Sequence, residues 1–182
     1  MKKMVIALLV VFGLAGLGQV AFGANPDAFE ISCTPSIQYA VTISTPAAGL
    51  TFGTVDLNTS YVNSSTATVK NTGNVSADWK IKGVKLDTWD LGSAPGADTV
   101  RLLGVFKTSL ASSGDFDVSL DTITATEANM NSTNYSVDAN GDNVAVNGTR
   151  LLSIRLDTPT DSSVDVQQRF RVEIKAYASS TF

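Results

Sequence analysis

The stretch Phe52 to Val84, FGTVDLNTSYVNSSTATVKNTGNVSADWKIKGV, decides the fold class. Within it Ala67 and Val69 alternate with Thr66, Thr68 and Lys70, and Ala77, Trp79 and Ile81 alternate with Asp78, Lys80 and Lys82. A period of two is the mark of strands with one buried and one wet face. Between them Asn71-Thr72-Gly73-Asn74 supplies residues that tolerate positive φ, so the reading predicts an antiparallel hairpin. Trp79, on the inner row, is expected in the core between two sheets.

Phe52-Gly53-Thr54-Val55, followed after an intervening strand by Asn71-Thr72-Gly73, resembles the ASH (abnormal-spindle and hydin-like) group of immunoglobulin-like domains. The resemblance covers residues 52–84 and implies a sandwich and a binding or structural role.

The alternation continues on both sides of this stretch. Val100 to Thr108 is apolar at nearly every position, as in a central strand covered on both faces. Phe116, Val118 and Leu120 alternate with Asp115, Asp117, Ser119 and Asp121, and Leu152, Ile154 and Leu156 with Ser153 and Arg155. The sharpest pattern sets Phe170, Val172, Ile174, Ala176 and Ala178 against Arg169, Arg171, Glu173, Lys175 and Tyr177. With Ile37 to Ile43 these make an all-β, immunoglobulin-like antiparallel sandwich of about eight or nine strands.

Toward the N-terminus, Lys2-Lys3, an apolar run from Met4 to Leu17, and Ala21-Phe22-Gly23 read as a secretory signal peptide over 1–23, cleaved after Gly23. The expected product is one domain, 24–182, exported to the periplasm, cell surface or medium and not inserted in the membrane. Of 13 basic residues, Lys2 and Lys3 leave with the leader, so 11 face 17 acidic ones and the net charge is -6. That surface repels nucleic acid and anionic lipid.

The sequence contains no histidine, one cysteine and no G-x-S-x-G arrangement, which removes the usual nucleophile and base partnerships and points away from an enzyme. Asp115, Asp117 and Asp121 are expected on the wet face of a strand. Asp138, Asn140 and Asp142 space three oxygen-bearing side chains as at the start of a calcium loop, although Asn143 stands where an EF-hand has glycine and Thr149 where it has glutamate. A plain Asn140-Gly141 turn explains the same residues, and no other cofactor is expected. Trp89, with Tyr61 and Tyr135 at loop ends, is a candidate sugar platform; for Trp89 the preferred reading is a lid on the end of the core.

Phe29, Ile31 and Cys33 share one parity, opposite Glu30, Ser32 and Thr34, and Pro35 then interrupts the ladder. Cys33 reads first as a small buried residue and second as an interchain link. The segment Ala28 to Thr34 reads as an edge strand of its own domain or as a strand lent to a neighbouring copy. The preferred function is a non-enzymatic structural or assembly module of the envelope or surface, its partners copies of itself or other envelope proteins. The alternative is a glycan- or ligand-binding module.

Overall fold

Ala67, Val69, Ala77, Trp79, Ile81, Leu152, Ile154, Leu156 and Ile174, from the rows predicted by alternation, meet in one core. The computed structural model describes residues 30–46 and 49–179 and divides the chain into two units, Met1–Pro35 and Ser36–Phe182. The leader, its cleavage position and Phe29 lie outside the described residues. In the first unit Glu30 to Pro35 are exposed and belong to no strand.

The second unit is a two-sheet, all-β sandwich. Its strands are β1 Val41–Ser44, β2 Ser60–Val62, β3 Ala67–Asn71, β4 Ala77–Lys85, β5 Asp90–Leu91, β6 Thr99–Lys107, β7 Thr122–Ile123, β8 Ala128–Asn129, β9 Thr149–Asp157 and β10 Phe170–Ala178. The larger sheet runs β1-β3-β9-β6-β5, with β2 on the same edge of β9 as β3 and β7 beside β6. The smaller sheet runs β10-β4-β8. Pairings between these strands are antiparallel, as expected, except the two-residue β5 with β6, which is parallel.

The predicted hairpin is corrected. β3 and β4 lie in different sheets, and the chain from Asn71 to Asn74 is an arch between them. Both edges of β3 are already occupied, by β1 and β9. Ala67 and Val69 from one sheet share a core with Ala77, Trp79 and Ile81 from the other. None of Asn71 to Asn74 takes positive φ, which a two-residue hairpin would need. Instead the buried Asn71 spans the gap: its Nδ2 donates to Val75 O at 2.9 Å and Val144 O at 2.8 Å, and its Oδ1 accepts from Gly73 N–H.

β6 is covered on both faces, as its composition predicts. Val100, Leu102 and Phe106 point into the main core, while Leu103 and Val105 meet Ala111 and Phe116 on the outside of the sheet. The segment supplying Phe116 is not the expected strand. A short 3-10 turn, Ser113–Asp115, precedes it, and the buried Asp121 carboxylate accepts from Asp117 N–H at 2.7 Å and Tyr135 N–H at 2.8 Å, curling the chain. Val118 and Leu120 are left exposed. Ile37 and Tyr39 also lie outside the expected strand, which is confined to β1.

Candidate functional site

Most of the sequence-derived candidates are placed by the structure in supporting roles. Trp89 is 8% exposed, packs in the main core, and donates from Nε1 to Ser162 Oγ at 2.9 Å. It is a lid, and its ring offers no open platform. Tyr135 is 3% exposed and donates its hydroxyl to Thr122 O at 2.8 Å; burial, reinforced by the nearby Asp121, pushes that phenol up to about 12. Tyr61 is half-buried on β2, its hydroxyl accepting from Asp56 N–H at 2.9 Å. A stacking surface shared by Trp89, Tyr61 and Tyr135 is therefore not what this fold builds, because two of the three rings are spent on the core.

The calcium candidates diverge too. Both Asp138 oxygens accept from Thr108, one from the amide at 2.7 Å and one from the hydroxyl at 2.8 Å. Asn140 Oδ1 accepts from Asp142 N–H at 3.1 Å, closing a local turn. Burial raises the Asp142 carboxyl above its ordinary range, and the charge of and hydrogen bond to Asp78 add to the effect. Among the described residues no group of three or more His, Cys, Asp or Glu gathers as a metal would require. The Asp138, Asn140 and Asp142 segment instead serves the smaller sheet, since Gly141 O accepts from Trp79 N–H at 2.8 Å and Val144 exchanges backbone bonds with Ala77.

Cys33, expected first as buried, is exposed, and Ile31 is 82% exposed. A two-residue parity distinguishes two faces of a strand but says nothing about whether either face is covered, which is why the expectation fails.

Among the described residues the outer edge of the nine-residue β10 is left without a strand partner. Leu86 N–H donates to Arg169 O, and this fixes the parity of the β4–β10 ladder. Residues Arg171, Glu173, Lys175 and Tyr177 thus bond to β4, while Phe170, Val172, Ile174, Ala176 and Ala178 direct their N–H and C=O groups the other way. Among the described residues no backbone partner meets them there. The opposite edge of β4 is filled by contrast: Ala77, Trp79 and Gly83 donate to Val144, Gly141 and Thr124.

No family model matches this chain, and neither a curated protein nor a solved structure matches it. The edge must be judged on its own chemistry.

Beside that edge the core is incompletely closed. β1 lies near β10 on this side; Val41, Phe170, Val172 and Ala176 are only partly buried, and Ile43 is exposed. The outer face of β10 carries Arg171, whose guanidinium pairs with Glu173 at 2.8 Å, and Lys175, which reaches Glu127 at 3.3 Å. Both cations remain more than half exposed. The sequence pattern identifies β10 as a strand; its place at the margin of a sheet follows from strand order, which no local pattern encodes.

Electrostatic order elsewhere is structural. Asp157, on β9, accepts from Arg101 Nε at 2.8 Å and from Arg155 Nε at 2.8 Å. Burial alone would raise its carboxyl, but bonds from Ser60, Arg101 and Arg155 hold it below the ordinary range. A polar cleft of about 200 Å³ lies beside this group, lined by Asn58, Ser60, Pro95, Arg101 and Thr158.

Proposed function

We propose that the chain is a non-enzymatic, exported module of the cell envelope or surface that works through a sheet edge, binding copies of itself or other envelope proteins. The observation that carries this reading is the nine-residue strand β10, unpaired on one side among the described residues and adjoining a partly open apolar seam. An edge of this length is a template for main-chain pairing unless something blunts or covers it. The composition supports the same reading, since the sequence has no histidine and one cysteine. The basic and apolar leader supports export. No helix among the described residues is long and apolar enough to cross a membrane.

The test is a proline on the free edge. In Ala176→Pro the lost N–H points away from β4, so the ladder between β4 and β10 stays intact. Light scattering across a concentration series is expected to show self-association, or complex formation with extracted envelope proteins, for the wild type and its loss in Ala176→Pro at unchanged circular dichroism. Equal association of the two proteins would refute an edge-based function.

A further inference from the structure

We infer that the β10 edge is filled by the segment Phe29–Thr34 of a second copy, giving head-to-tail chains; this rests on the edge-based function proposed above. Four features converge on that occupant.

The first is pattern. The even residues of β10 present both their edge groups and their inward side chains to the seam, so a strand added there must alternate apolar and polar residues. Phe29, Ile31 and Cys33 against Glu30, Ser32 and Thr34 supply that alternation. The second is availability. Glu30 to Pro35 are exposed, join no strand and fall in a unit separate from the sandwich. Ile31 in particular leaves most of its surface in water, an unfavourable exposure of apolar area that a seam could cover.

The third is charge. A strand seated with Phe29, Ile31 and Cys33 inward turns Glu30 to the outer face, beside the row that carries the exposed Arg171 and Lys175. The fourth is anchorage. Within the sandwich the chain from Ser36 onward is tied to the arch: Asn74 Nδ2 donates to Ser36 O at 2.6 Å, Gln38 N–H donates to Asn74 Oδ1 at 2.8 Å, and Thr72 N–H donates to Ala40 O. A side chain at Gly73 would collide with Gln38 O, so the arch and this segment are fitted to each other. The donor's root is thereby fixed, and Pro35 ends the ladder just before it.

Because donor and acceptor are different surfaces of one chain, the contact is heterologous and propagates unless a rotation closes it into a ring.

Cys33 is the sole cysteine of the sequence, which makes the contact directly readable by disulfide trapping. Wild-type protein is mixed with a tagged chain carrying Cys33→Ser and either Val172→Cys or Ala176→Cys, two positions on the seam that allow for register, and is oxidised gently. The expected result is a mixed, tagged–untagged dimer as the main product for at least one position, abolished by Ile31→Asp in the untagged chain. A second preparation keeps Cys33 and the seam cysteine in one chain and is expected to give a ladder of multimers on a non-reducing gel. An intrachain disulfide in that preparation, or only like-with-like dimers in the first, overturns the inference. If trapping fails while Ala176→Pro still abolishes association, the edge function stands and the donor assignment alone falls. If the wild type shows no association of either kind, both fall.

Discussion

The indole of Trp79 on β4 meets the ring of Phe106 on β6 edge to face, with centroids 5.7 Å apart and planes inclined by 60°. The pair joins the two sheets at the centre of the core, where Trp79 is 1% and Phe106 0% exposed. Among the described residues Trp79 Nε1 has no hydrogen-bond partner, so the indole is held there by packing and ring geometry. Trp79→Ala is expected to cost about 3 to 5 kcal/mol in chemical denaturation. Trp79→Phe removes an unpaired N–H together with part of the ring and should cost appreciably less, and a larger loss for phenylalanine than for alanine would contradict this packing.

Trp89 differs in having a bonded indole. Trp89→Ala removes a core lid and its bond to Ser162 Oγ, which keeps its bonds to Val164, so it is expected to lower stability by about 2 to 3 kcal/mol, less than Trp79→Ala because its site lies at the margin of the core. Thermal melts of the two alanine variants side by side check the order.

Asp157 is the anion shared by two mostly buried arginines, and Asp157→Ala would leave both uncompensated. A loss of about 3 kcal/mol is expected from urea unfolding at neutral pH. Its folded-state carboxyl lies below the ordinary 3.8, so its contribution is present above that value and disappears as pH falls through the depressed one. Asp115, held down to about 2 chiefly by Lys107 and by Ser112, follows the same sign. Acid titration of wild type and Asp157→Ala should therefore converge below pH 3.8, and a constant gap throughout would refute the linkage.

Asp142 has the opposite sign. Its carboxyl is raised by burial and by Asp78, so the stabilising contribution exists below the ordinary 3.8 and is lost as pH rises through the raised value. Asp142→Asn is expected to stabilise the protein at pH 7, by less than about 1 kcal/mol because solvent screens the site, and to make no difference near pH 3. Differential scanning calorimetry at the two pH values decides it.

Protein recovered from an exporting host is expected to begin at Ala24, since Ala21 and Gly23 place small residues at both recognition positions of the leader. An intact mass that retains residues 1–23 would remove the export on which the proposed function depends.

Residues that alternate cleanly over nine positions were legible in advance. Glu173, between Val172 and Ile174, sits where a period of two puts it. Pairing was not legible. Asn71-Thr72-Gly73-Asn74 marks a chain reversal, but the same residues serve a hairpin within a sheet or an arch between sheets, and the choice depends on β1 and β9 having taken both edges of β3. Asp121 illustrates a second limit. Its neighbours alternate like a strand, yet one buried carboxylate gathering two backbone amides curls the segment. The free edge of β10 emerges only once the order of strands in the smaller sheet is known.

The arch at Asn71 also governs when the molecule can fold. Because it sends β4 away from its sequence neighbour β3, β4 must wait for β10, with Ala77 opposite Ala178 about a hundred residues later, while β3 waits for β9. Of the ladders, β1 with β3 lies within the first half of the chain, whereas the smaller sheet cannot be completed before β10 is made. Loop-closure entropy comes due before any long ladder repays it, and folding should be slow for a domain of this size. Under the export proposed above, that delay would be an asset, since it would postpone the sandwich until translocation is over.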